Sequence, residues 1–254
     1  MSRRVKVGFS QRIQLDWLEL TANLLLAAST RPEIQTQLDN FLQDKLSVGS
    51  ESKSSGRSKA ISILLKIWVA VPAELEPLRD EALELLRTTP CHQHLAIHWG
   101  MTMAVYPFFG IVAENVGRLL RLQGRFAAGS IQRRIKEQLG DRETVSRATQ
   151  RVLRCFIDWG VLQDTNQTGV YQHTSLQLVD HRITAWLIEA VLIASDSNSQ
   201  SLGVISQTPV LFPFIVSSIN PRDLEANLRL EFFHQGLDEK MVTLRENKKL
   251  IFTR

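Results

Sequence analysis

The sequence predicts a mainly α protein: a helical amino-terminal domain over residues 1–110, a module of helices closed by a short β hairpin over 111–175, and a degenerate version of that module over 176–254. Three observations carry this expectation. Apolar residues recur at helical spacing up to Gln123, and no stretch there alternates as a strand would. Beyond Gly124, two short amphipathic helices are followed by two brief extended runs around a polar loop. Finally, ten basic residues between positions 118 and 154 meet only three acids, which gives that window a net charge of +7 in a chain of +4.

The elements follow in order. Ile13, Trp17, Leu20, Leu24 and Ala27 mark a first helix over 13–29. Thr30, Pro32 and Glu33 are a start signal, with a hydroxyl cap, a proline in the first turn and a glutamate three residues after the cap, so a second helix is expected to about Leu46. Residues 47–58 are rich in serine and glycine and read as a surface loop. Helical spacing resumes over 57–71, then from Pro72 to about Arg87, over 92–106 and over 108–123. A helix over 127–139 places Ile131, Ile135 and Leu139 on one face, and Gly140 and Asp141 make the turn. A further helix over 143–158 directs Val145, Ala148, Val152 and Phe156 inward, with Trp159 following. Gly160 stops it, Val161 and Leu162 open a strand, 163–169 form a polar loop, and Val170 to His173 return as the partner strand. That order is a winged helix-turn-helix. The tail reads as a winged-helix-like repeat: a helix over 180–194, a serine-rich loop, helical pieces near 207–214 and 221–227, and strands over 228–234 and 241–245 joined at Gly236.

The totals narrow the function classes. Hydrophobic content of 44% with 22% charged residues is ordinary for a folded chain and argues against disorder. Cys91 and Cys155 are too few for a disulfide framework, so a reduced compartment is expected. The basic start, Met1 to Arg12, is not followed by an apolar run of signal-peptide type. The uncharged stretch from Trp99 to Ala113 falls short of the ~20 residues a membrane helix needs and contains Pro107 and Gly110. A soluble, cytoplasmic protein with no membrane contact is the expectation.

Arginine crowding beside a helix-turn-helix pattern points to a polyanionic partner, and double-stranded DNA is the expected one. Arg147, Arg151 and Arg154 recur at i, i+4 and i+7, opposite the apolar face. Thr144, Ser146, Arg147 and Gln150 lie early in the 143–158 helix, where side chains reach base edges in a major groove. Arginine pairs with guanine O6 and N7, and glutamine with adenine N6 and N7. Arg151 and Arg154 are placed for phosphates, Arg133, Arg134 and Lys136 for the backbone crossing of the preceding helix, and Arg142 completes the set. The basic arm of Arg3, Arg4, Lys6 and Arg12 is a further source of phosphate contacts, or an ordinary frayed terminus. Two other readings stay open: the charges merely solvate a helical face, or the module contacts other proteins.

Other constellations point away from catalysis and cofactors. His94 and His98 have the i, i+4 spacing of zinc ligands, with Cys91 and His92 nearby, but Leu95 stands where a metalloprotease has glutamate and no second ligand group completes a site. Gly49 to Ser58 lacks the spacing, the lysine and the preceding strand of a phosphate loop. Asp158, Asp180 and His181 form no recognisable acid/base pair, and Glu74, Glu76, Asp80, Glu81 and Glu84 read as a solvated acidic face. No nucleophile motif is present, so no enzyme, metal or cofactor is expected.

Residues 118–173 resemble the winged-helix DNA-binding superfamily, in the order of elements and in GSIQRRIKEQLGDRETVSRATQRVLRCFIDWGVL over 129–162. A helical front half joined to such a module also resembles, in architecture, the small accessory proteins encoded with BREX-type phage-defence systems. These resemblances imply a non-catalytic DNA-binding or assembly subunit beside larger enzymes, with protein partners as well as DNA.

Overall fold

The computed structural model describes residues 7–46, 56–174, 176–178, 180–195, 199–216, 224, 227–235 and 239–245, and these are mainly α. The front half contains α1 (Leu15–Leu26), α2 (Arg31–Leu42), α3 (Gly56–Trp68), α4 (Glu76–Thr88), α5 (His94–Val105) and α6 (Pro107–Gln123). Helix α2 starts as its sequence requires: the Glu33 carboxylate accepts from the Thr30 N–H and hydroxyl, each at 2.7 Å. Gly56, Arg57 and Ser58 belong to α3, which shortens the expected loop; residues 47–55 lie outside the described residues.

Helix α5 is buried on every side, so the uncharged stretch around it is core. Pro107 lacks an N–H and pushes Tyr106 out of helical geometry, and the two helices it separates bend by 118°. Among the described residues, no single helix is long and apolar enough to cross a membrane. The expected domain boundary at 110 falls inside α6, and the buried cluster runs through it without a break.

Gly124 ends α6 in the left-handed region, at φ 70°. There follow β1 (Arg125–Ala127), α7 (Ala128–Leu139), α8 (Glu143–Asp158), β2 (Leu162–Asp164) and β3 (Val170–His173). Strand β1 corrects the sequence reading, which had no strand there; at three residues it is too short to show alternation, and pairing with β3 creates it. The sheet order is β1–β3–β2, antiparallel throughout.

The remainder comprises β4 (Leu176–Leu178), α9 (His181–Ala194), β5 (Ser199–Ser201), α10 (Leu202–Ser206), β6 (Phe214–Val216), β7 (Leu230–Gln235) and β8 (Glu239–Leu244). A 3-10 turn at Pro209–Leu211 and strand β6, paired in parallel with β4, replace the helix expected near 207–214. The helix expected near 221–227 lies outside the described residues except for Leu224, which is helical and buried, and Asn227. The sheet order β5–β8–β7 repeats that of the first sheet, with the last strand between the leading strand and the middle one.

Trp99 joins these parts. It stacks on Phe156 of α8 at 4.9 Å and 26°, and meets Phe109 of α6 edge-on at 4.9 Å. Phe212 at 5.5 Å and Phe214 at 5.8 Å close the cluster from the carboxy-terminal side. Each of three buried indoles donates its N–H to a carbonyl far along the chain: Trp99 to Val210 at 3.2 Å, Trp159 to Ile13 at 3.0 Å and Trp186 to Leu78 at 3.0 Å. A half-buried arginine network adds a polar tie. Arg229 donates through Nε and Nη2 to Glu189, at 2.6 and 2.8 Å, and also reaches Glu81, while Asn227 completes the Glu189 carboxylate at 2.7 Å. Glu81 is therefore not a solvated acid, as its sequence context suggested.

Gly117 is where α6 touches the Pro209 turn, and a Cβ there would stand 2.0 Å from the Pro209 carbonyl oxygen. Gly117→Ala gains up to ~1 kcal/mol of helix propensity, but overpacking of this kind costs about 1–3 kcal/mol and here meets rigid backbone. Thermal denaturation should show a lower Tm, by roughly 2–4 °C for each kcal/mol of net loss. An unchanged or higher Tm would contradict this packing.

Candidate nucleic-acid interface

Helix α8 is strongly amphipathic because its apolar residues follow one stripe: Val145, Ala148, Val152 and Phe156 are all buried, as expected, and Thr149, Leu153 and Cys155 join them. The opposite stripe carries Arg147, Gln150, Arg151 and Arg154, which line a cleft of about 400 Å³ together with Arg12. Among the described residues, no carboxylate lines this cleft. Thr144, Ser146, Arg142, Arg133, Arg134 and Lys136 are not part of it; Thr144, Arg142, Arg133 and Arg134 are exposed elsewhere on the module, and Ser146 and Lys136 are half-buried.

Arg12 is the residue that sequence spacing could not supply, being 146 positions from its partner. The segment that carries it is fixed along the end of α8. Ile13 is fully buried, its N–H points to Cys155 Sγ at 3.2 Å, and its carbonyl accepts the Trp159 indole N–H. Arg12 then donates through both Nε and Nη2 to Asp158. Burial pushes the Cys155 thiol up to about 12, so it serves as packing and not as a nucleophile.

The charge balance requires a correction. The three acids of the 118–154 window do not stand apart from its cations: Glu143 pairs with Arg147, Asp141 with Lys136 at 2.8 Å, and Glu137 lies 4.0 Å from Arg133. Arg118 pairs with Glu114, Arg121 is spent on the carbonyls of Gln207 and Thr208, and Arg142 bonds the Leu139 carbonyl at 3.1 Å. Among the described residues, Arg125, Arg134, Arg151 and Arg154 have no carboxylate partner at ion-pair distance. The paired groups remain in water, with Arg147 62% and Glu143 74% exposed, and such pairs are weak and easily exchanged.

A second polar cleft of about 400 Å³ lies beside the loop that joins β2 and β3, lined by Arg125, Asp164, Thr165, Asn166, Gln167 and Gln172. Its basic member stands on β1, the strand that the sequence did not reveal.

Of the histidine cluster, His94 and His98 are buried and bonded internally, whereas Cys91 and His92 are exposed. Glu19 accepts from His98 Nε2 at 2.8 Å and lies 3.0 Å from His94 Nδ1, while His94 Nε2 faces the Thr89 carbonyl at 3.0 Å. Among the described residues, no group of three or more His, Cys, Asp or Glu side chains has metal-binding geometry. Asp180 caps α9 through the N–H groups of Arg182 and Ile183.

The His98 hydrogen bond holds the Glu19 carboxyl down to about 2, and complete burial lowers the pKa of His98. In the unfolded chain Glu19 titrates near 4.3, so its stabilising effect is full above that pH and disappears as the pH falls toward 2. An unfolded His98 takes a proton below about pH 6.5 that the folded one resists, which also favours unfolding in acid. Tm should therefore fall steadily from about pH 6.5 downward. Glu19→Gln should flatten the limb below about pH 4.5, a contribution of roughly 1–3 kcal/mol. Parallel Tm curves for the two proteins would contradict the assignment.

Comparison of the chain with protein-family models, with curated proteins and with solved structures returns no match.

Proposed function

We propose that this chain is a non-catalytic DNA-binding protein, in which the module expected over 111–175 is a winged helix and α8 is the helix offered to the major groove. The observation that carries the reading is the outward stripe of α8, where Arg147, Gln150, Arg151 and Arg154 line a cleft whose wall, among the described residues, holds no carboxylate. The order helix, strand, helix, helix, strand, strand with sheet order β1–β3–β2 supports it. In this reading Thr144, Ser146, Arg147 and Gln150 approach base edges, and Arg151 and Arg154 approach phosphates. Arg133, Arg134, Lys136 and Arg142 add backbone contacts, trading weak exposed pairs with Glu137 and Asp141 for phosphate. Work as an accessory subunit of a phage-defence complex, or as a regulator, is consistent with such a module.

A second reading makes the chain a scaffold whose modules contact other proteins. The carboxy-terminal unit favours it: Arg229 is consumed by Glu189 and Glu81, while Leu228 at 76% and Val204 at 62% are exposed. Co-purification with a protein partner after nuclease treatment would support this alternative.

Gel-shift titrations with duplex DNA across ionic strength test the first reading. If five cations neutralise phosphates, the log–log slope of affinity against salt should be about −4.5. Arg147→Glu with Arg151→Glu should abolish the shift while the helical circular dichroism is retained. A slope near zero, or no complex at low salt, would rule the reading out.

A further inference from the structure

We propose that the Arg12 cleft is a phosphodiester clamp, in which the amino-terminal segment and the second half of α8 grip one strand of a DNA duplex together. The inference rests on the DNA-binding reading above and assigns the chemical group that enters the cleft.

The geometry points to phosphate and not to a base edge. Arg12 has committed its Nε hydrogen and one Nη2 hydrogen to Asp158, so the side edge of its guanidinium is used and the Nη1–Nη2 edge remains for a ligand. Arg12 is anchored on Asp158, the last residue of α8, whereas base edges are met by side chains near the start of such a helix, and its free guanidinium edge matches the paired oxygens of a phosphate. Arg151 and Arg154 complete the cleft from α8, with no carboxylate partner among the described residues to compete with an incoming anion. The two acids bonded to cleft arginines, Asp158 and Glu143, hold them from outside its wall.

The clamp is also built in advance. Arg12 is tied to Asp158, and the neighbouring residue Ile13 is buried and bonded at both backbone groups, so binding immobilises little that is not already fixed. An arginine on a frayed terminus would lose far more freedom. Arg12 therefore contributes affinity without sequence preference, while the start of α8 carries any base reading.

The test is fluorescence anisotropy with two short duplexes of unrelated sequence, across a range of salt, on the full chain. Wild type is compared with Arg12→Ala and Asp158→Asn, each checked for folding by thermal melting. Arg12→Ala should weaken both duplexes alike, by roughly tenfold at moderate salt, and reduce the steepness of the salt dependence by about 1. Asp158→Asn removes the tether but keeps the cation, so its salt dependence should stay at least as steep as wild type. Three results overturn the clamp while leaving DNA binding intact: unchanged affinity and slope in Arg12→Ala, a loss confined to one duplex, or the same loss of slope in both variants. Absence of binding by wild type at every salt overturns the DNA reading itself, and the clamp with it.

Discussion

The contact on which the rest depends is the stack of Trp99 against Phe156. Trp99 belongs to α5, the most enclosed helix, and Phe156 to α8, so one ring contact fixes how α8 is turned about its own axis. Successive helical residues are about 100° apart. Once Val145, Val152 and Phe156 face inward, Arg147, Arg151 and Arg154 have no direction left but outward. The cationic stripe is thus a consequence of core packing. The same cluster draws in the 3-10 turn at Pro209, whose neighbour Val210 receives the Trp99 N–H. Leaving an indole donor unpaired in that interior costs about 1–3 kcal/mol, which adds to the pressure for Val210, Ile13 and Leu78 to stay where they are.

Much of this was legible in the residues and some was not, for identifiable reasons. Helices α7 and α8 were readable because their apolar stripes are strict and glycine closes both, at Gly140 directly and at Gly160 after Trp159. The β2–β3 hairpin was marked by its polar loop. Strand β1 was not, since Arg125, Phe126 and Ala127 become a strand only through tertiary pairing with β3. Strands β4 and β6 were missed for the same reason, being three residues each and joined in parallel across a long stretch of chain. The site was half legible. Periodicity grouped Arg147, Arg151 and Arg154, but nothing local predicts that Arg12 crosses 146 positions to Asp158. Charge counting had already set Glu137, Asp141 and Glu143 against the cations, but it could not tell that Glu114, outside the window, pairs with Arg118, or that Arg121 and Arg142 bond backbone carbonyls.

Ion pairing along the module does not cancel its field. Exposed pairs at i, i+4 cost little to open, and a phosphate offers stronger charge-assisted bonds than a solvated carboxylate. What pairing changes is the division of labour: Arg151 and Arg154 are ready for an anion, whereas Arg133, Lys136 and Arg147 must first exchange partners. The carboxy-terminal unit repeats the sheet order with a different investment of charge, since its Arg229 is locked between Glu189 and Glu81. A shared sheet order with unequal electrostatics would suit the proposed division between a surface for DNA and one that holds the protein, or a partner, together.

Arginine-selective labelling with phenylglyoxal, read by mass spectrometry with and without duplex DNA, tests the central claim most directly. Arg151 and Arg154 should become strongly protected when DNA is present, while Arg79 and Arg87 on α4 label at unchanged rates. Protection spread evenly over the chain, or absent from α8, would contradict the account.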